Sequence, residues 1–433
     1  MPRPDDYPDL ATTPRNWPVP GGGGPFPNLE EPSASLKTDG WSLSDSTEGD
    51  SVPKSSNINF LFNLLNQWVQ FFDIEKTANR SVVVGGDLST NIFSRGTSFT
   101  ALDFTGNPIA DRFFLSSSNA VVGANVDSNR VTDTPPYELF NRFSRYAIEL
   151  TNQAAIGAIP NDEDAVIVYF VEGADFIPLF RNPFTIQFAF RSSVTGTYTV
   201  VLQNSVQDMN YSTTFNISVA DTWQKIVLNI PANPNSGTWD FNSGRGLTVN
   251  IVLASGTDFH GPTDVWDTTI GTNVGVDATQ VNWLENIGDT LAFQFLKIEE
   301  GAVATPLENT SVAEDIVKQH RYYQKSYNNF DAPGVVTNNG RVRYHSGASA
   351  PTLSEFLSFR ESLRENGIGF NATAQIYSPV TGAAGFARNI TQNVDVAVAS
   401  IGIYENGLEF TTVAGPVAGD VIEYHYTAES ELL

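Results

Sequence analysis

Apolar and polar positions along this chain follow two different periods, and the change between them divides it. In residues 57–73, NINFLFNLLNQWVQFFD, Leu61, Leu65, Trp68 and Phe72 recur at spacings of 4, 3 and 4. That is the stagger of a helix seam facing a partner helix. Phe62 and Val69 widen the seam, while Asn63, Asn66, Gln67 and Gln70 leave a narrow polar edge. At ~1.5 Å per residue this predicts about 25 Å of helix, marginal alone in water. So apolar a helix needs a cover, either its own domain or copies of itself. Each large side chain withdrawn from water contributes about 1.5–3 kcal/mol. The unlike sequence on either side favours self-association, which makes Leu61, Leu65, Trp68 and Phe72 candidate oligomerisation residues.

From Ser81 onward the period is two. Phe184, Ile186, Phe188 and Phe190 alternate with Thr185, Gln187, Ala189 and Arg191, which predicts a strand with one large apolar face. The same alternation marks Tyr198, Val200 and Leu202; Phe215, Ile217 and Val219; Ile226, Leu228 and Ile230; and Leu247, Val249, Ile251 and Leu253. Leu291, Phe293 and Phe295 read as one face of a further strand, and 146–150 and 166–171 as earlier ones. Turn residues such as Thr195-Gly196, Asn235-Ser236-Gly237 and Ser243-Gly244 separate them. Many short antiparallel strands predict two packed sheets, a jelly-roll sandwich.

Ser311 with Glu314 forms a capping box that opens a helix running to about Tyr323, and Thr352 with Glu355 predicts a second helix stopping near Gly367. Strands return at 374–377, 396–404, 408–413 and 421–426. The loop-rich segment 328–340 marks the boundary of a smaller module.

Before the helix, prolines recur from Pro2 to Pro32 and four glycines stand at 21–24. They hold the backbone extended and hardly permit a packed core. Tyr7, Trp17, Phe26 and Trp41 are spaced along it, anchors that a plain linker would not use. An arm lying along another protein's surface would use them. The fold class is therefore mainly β, in four parts: an extended arm (1–55), a helix and linker (56–80), a jelly-roll β-sandwich (81–327) and a smaller C-terminal β module (328–433).

Composition narrows the chemistry. The formal charge of −24 argues against nucleic acid as a direct partner. There is no cysteine for a disulfide, a thiolate metal site or a nucleophile. No apolar run reaches membrane-spanning length, and no basic region followed by an apolar core opens the chain, so neither membrane insertion nor a secretory signal is expected. His260, His320, His345 and His425 are far apart and none shows metal-pair spacing, so no metal or other cofactor is expected. Glu299 and Glu300 point to opposite faces if extended and cannot bracket one glycosidic bond. Asp162, Glu163 and Asp164 read as a solvated acidic turn. With no catalytic constellation in view, the expectation is a protein that is not an enzyme. Ligand contact is best sought between Asp258 and Asp289. There Trp266 lies between Asp264 and Asp267, and Trp283 lies beside Asn282 and Glu285. Indole faces stack on sugars and carboxylates take hydroxyls, while the plainer reading, to which the sequence gives more weight, is that both rings plug the sandwich end.

Several stretches resemble bacteriophage tail-fibre proteins that carry a carbohydrate-binding-like jelly roll. They are RGTSFT (95–100), ADRFFLSSS (110–118), PFTIQFAFRSSVTGTYTV (183–200), DTWQKIVLNIP (221–231), GTWDFNSGRGLTVNIVLASGTDF (237–259) and FLKIEEGAVATPLENTSVAEDIVKQHRYYQKSY (295–327). The ending EYHYTAESEL and the opening RPDDYPDLAT are similar to the two ends of such fibres. His320 stands where that family often has cysteine, Phe113 where it often has tryptophan, and 346–371 looks like an insertion. The resemblance implies a homotrimeric virion appendage, assembled in the host cytoplasm and exposed on the particle. Its arm, through Tyr7, Trp17, Phe26 and Trp41, would dock on other virion proteins, and its β modules would meet host polysaccharide. A purely structural head, neck or baseplate part and a polysaccharide depolymerase are the alternatives.

Overall fold

The computed structural model describes residues 16–17, 26–27, 79–88, 93–268, 275–308, 310–346, 355–364, 372–413 and 417–432. The chain divides into two compact units, Met1–Asn79 and Arg80–Leu433. In the first, β1 (Asn16–Trp17) pairs antiparallel with β2 (Phe26–Pro27), placing Trp17 opposite Phe26. Tyr7, Trp41, Leu61, Leu65, Trp68 and Phe72 lie outside the described residues, as do the side chains of Trp17 and Phe26.

The second unit is mainly β. One sheet has six strands in the order β12 (Gln224–Ile230), β9 (Phe184–Ser192), β15 (Thr290–Glu300), β7 (Ala147–Asn152), β6 (Val126–Val131) and β3 (Ser98–Leu102). Facing it is a seven-stranded sheet. Its order is β14 (Trp266–Asp267), β11 (Asn210–Ile217), β10 (Gly196–Gln203), β13 (Arg245–Ser255), β8 (Asp164–Glu172), β5 (Phe113–Ser116) and β4 (Asn107–Ala110). Alternation fixes the inner faces. Phe184, Ile186, Phe188 and Phe190 meet Tyr198, Phe215, Val249 and Ile251 in one core, and Phe190 stands edge-on to Tyr198 at 5.2 Å. Val219, assigned from sequence to the Phe215 face, lies past the end of β11 and is exposed.

One outer face is covered too. On the six-stranded sheet, Phe140, Trp223 and Phe295 form a second apolar cluster. Phe295 belongs there because β15 bulges between Gln294 and Lys297, with Phe295 at φ 60°. The bulge adds a residue and turns Phe295 away from Leu291 and Phe293, whose face it was expected to share.

A third, curled half-barrel sheet is organised on β23 (Val421–Glu429). That strand pairs with β16 (Tyr323–Lys325), β17 (Val342–His345), β19 (Thr373–Tyr377) and β20 (Phe386–Asn389). Beyond β20 the sheet continues through β21 (Val394–Tyr404), β22 (Gly407–Thr412) and β18 (Glu355–Ser358). The helix Val312–His320 leads into this sheet, and the Ser311 hydroxyl accepts the Glu314 N–H at 3.1 Å, as the capping box requires. The second expected helix is not formed where Glu355 would begin it. Residues 355–358 pair instead with β22, placing Leu357 opposite Leu408. The open edge of β22 supplies backbone partners that a capping pattern cannot foresee.

Candidate functional site

Of the four side chains singled out for ligand contact, three come together. Trp266 and Asp267 form the edge strand β14, with Asp264 just before it at φ 60°. Trp266 lies across from Tyr211, ring centroids 5.1 Å apart, and its indole N–H donates to the Pro231 carbonyl at 3.0 Å. Burial, with Asp264 alongside, pushes the Tyr211 phenol up to about 12. Trp239, missed from the sequence, stands edge-on to Trp266 at 6.1 Å and stacks on Phe176 at 5.0 Å. Together they make a half-exposed aromatic ledge. Trp283 does not belong to it. The indole is fully buried in the main core, and its backbone N–H donates to the Leu253 carbonyl at 2.9 Å. No face of that ring is open to a sugar.

A better-formed recess lies on the outer face of the seven-stranded sheet. Strand register builds it. Phe114, Val168, Asn250 and Val201 occupy one row across β5, β8, β13 and β10, while Phe170, Thr248 and Gln203 occupy the row beside it. Valines and Phe170 thus supply an apolar floor, and amides and a hydroxyl interrupt it. The Asn250 amide donates to the Gln203 side-chain oxygen at 3.2 Å. Side chains on this floor enclose a cavity of about 330 Å³. At one end stand Phe259 and Val276, joined by the Val276 N–H donating to the Phe259 carbonyl at 3.0 Å. At the other, Arg245 lies over the Phe170 ring at 4.6 Å and donates to the carbonyl of Leu432, which packs on the same face. Asp164 and Arg245 mark opposite ends of the β8–β13 ladder, roughly 27 Å apart at ~3.4 Å per strand residue.

The acidic turn is not solvated as the sequence suggested. Asp162 is exposed, but Glu163 and Asp164 are buried. Asp164 accepts the backbone N–H of Ser118 at 2.7 Å and of Asn119 at 3.2 Å, and Glu163 accepts that of Val122 at 3.1 Å. The two carboxylates close a loop whose own N–H groups lack partners, a role that adjacency in sequence does not show. Burial pushes the Asp164 carboxyl up to about 6 against the pull of those hydrogen bonds. On β15, Glu299 is buried and Glu300 exposed, so the two do point apart. His425 is buried and stacked on Tyr327 at 3.8 Å, and burial lowers its proton affinity. Among the described residues no three acidic or histidine side chains gather as metal ligands would.

No family model matches the chain, and no curated protein matches it. Among solved structures, the enzymatically active domain of bacteriophage CBA120 tailspike protein 4 is similar over 51% of this chain, at 11% identity and a TM-score of 0.29. The chain spans only 21% of that domain's length. TmCBM61, solved with β-1,4-galactotriose, is similar over 51% of this chain and 99% of its own, at 9% identity and a TM-score of 0.24. The family 11 carbohydrate-binding module of Clostridium thermocellum was solved with a β-1,3-1,4-mixed-linked tetrasaccharide. It is similar over 48% of this chain and 98% of its own, at 12% identity and a TM-score of 0.24. Resemblance at this level leaves function to be read from the cleft's own side chains.

Proposed function

We propose that this chain is a glycan-binding subunit of a trimeric virion fibre, with the outer-face cleft of its sandwich holding host-surface oligosaccharide. The observation that carries the reading is the pattern of that cleft. A floor of Val166 and Val168, with Phe170 beneath Arg245 at one end, can take the apolar faces of sugar rings, and Thr248, Asn250 and Gln203 stand among them to take hydroxyls. The cavity lies within the range of about 300–1,000 Å³ usual for ligand sites. Its length suits an extended oligomer. Among the described lining residues only Asp164 is a carboxylate, whereas glycoside hydrolysis takes two. We therefore read it as a site that holds and does not cut.

Glycan-array binding by the full chain, repeated with Asn250→Ala and Gln203→Ala together, tests this. Specific binding lost in the double variant supports the cleft. Binding only to another virion protein would favour the purely structural alternative, and release of reducing ends would favour a depolymerase. The trimer is proposed from the apolar sequence pattern of Leu61, Leu65, Trp68 and Phe72. Light scattering on Leu65→Asp should show weakened assembly, and an unchanged trimer would move the main contacts elsewhere.

A further inference from the structure

We propose that the glycan carries a carboxylate on an otherwise neutral chain, and that Arg245 selects it; this rests on reading the cleft as a glycan site. Arg245 is half-buried at the cleft's end. Its guanidinium is held in place by Phe170 beneath it and by the Leu432 carbonyl, which takes the Nε hydrogen. Among the described residues no carboxylate stands within ion-pair distance of it. The ladder sets Glu172 opposite Arg245, yet Glu172 Oε2 accepts from Arg321 Nε, at 2.9 Å, and from the Tyr322 hydroxyl, at 2.6 Å, and its Oε1 accepts from Arg321 Nη2, at 2.5 Å. Arg112 pairs with Glu431, and Arg95 with Glu429 and Glu431, while the adjacent Arg364 donates to the backbone carbonyls of Ser430, Ser243 and Glu431.

The remaining guanidinium hydrogens of Arg245 thus form a fixed donor fork at the end of an uncharged floor. A planar guanidinium binds a carboxylate bidentately and prefers it to a hydroxyl. Among the described lining residues the one acid, Asp164, is at the far end and does not compete. Burial and the charge of Arg364 disfavour the protonated form of Arg245, which an incoming anion would relieve. The net charge of −24 sets a limit from the other side. A densely charged polyanion meets long-range repulsion, so the acid must be sparse, one uronate-type sugar among neutral ones.

The test uses the full chain and an array of matched oligosaccharides, each present as the neutral form, as the form with one sugar oxidised to its uronate, and as the methyl ester of that uronate. Calorimetry then measures the best-bound set. The uronate should bind at least about tenfold more tightly than its ester, as a charge-assisted fork implies. Arg245→Gln keeps a donor for the Leu432 carbonyl. It should erase that preference, bringing the uronate's affinity down to that of its ester. Equal affinity for uronate and ester on the unaltered protein overturns the selection by Arg245 and leaves the glycan site standing, and the ester comparison needs no variant to fold. Absence of binding to any member overturns the glycan reading itself.

Discussion

The two outer faces of the sandwich are both rich in polar side chains, yet they treat them in opposite ways. On the six-stranded sheet, Gln187, Lys297 and Glu299 are sealed in. The Lys297 ammonium donates to Glu299 at 2.9 Å, to the Thr305 hydroxyl at 2.8 Å and to the Pro306 carbonyl at 2.7 Å. Gln187 donates to the Thr305 carbonyl at 2.6 Å. Lys297, Glu299 and Gln187 thus find their partners within the fold, and residues 301–307 lie over the face. On the seven-stranded sheet, Thr248, Asn250 and Gln203 hold equivalent outward positions but line an open cavity. A buried polar residue therefore says little by itself. What distinguishes a binding face is hydrogen-bonding capacity that the fold leaves unspent.

That contrast can be broken at its sealed side first. Lys297→Ala leaves Glu299 charged, buried and without its cation, and should destabilise the chain by about 3–5 kcal/mol. Denaturant unfolding measures it, and a loss under about 1 kcal/mol would show that water reaches this face after all. Glycan affinity under folding conditions should be unaffected.

Asp164, at the cleft's end, gives the next effect. Its carboxyl rises from 3.8 to about 6, so between these values the native state holds a proton that the unfolded chain has released. Stability contributed by this group is therefore present at low pH and is lost as pH rises through about 6. At ~1.36 kcal/mol per unit the whole swing is about 3 kcal/mol. Asp164→Asn keeps an oxygen for the Ser118 and Asn119 N–H groups and should flatten that part of the stability profile between pH 4 and 7. An unchanged slope would assign the group to solvent.

The smallest change in stability is expected where the functional change is large. Asn250→Ala with Gln203→Ala removes only a hydrogen bond shared between side chains at the cleft and should cost about 1 kcal/mol or less. Calorimetry should nonetheless show glycan affinity falling at least about tenfold. A large loss of stability with binding intact would make this face structural, like its counterpart.

Sequence alternation reveals the inner faces well because it is a local property. Phe184–Phe190 and Leu247–Leu253 need only neighbours two residues away to be assigned. Phe295 is misplaced because a bulge depends on how β15 pairs with β9, and residues 355–358 are misread because β22 offers an edge. The cleft is invisible for the same reason. Thr248, Asn250 and Gln203 come from two strands, their partners Val168 and Phe170 from a third, and only the register aligns them. Tryptophan was the signal trusted instead. Trp266 lies on the half-exposed ledge beside Trp239, which the sequence reading left out, while Trp283 takes the plugging role that reading also allowed.

The most direct measurement is a crystal structure of the full chain with the best glycan from the array. Density should run along β8 and β13, with sugar hydroxyls on Asn250 and Gln203 and an acidic group at Arg245. Density on the Trp239–Trp266 ledge, with the cleft empty, would contradict the assignment of the binding face.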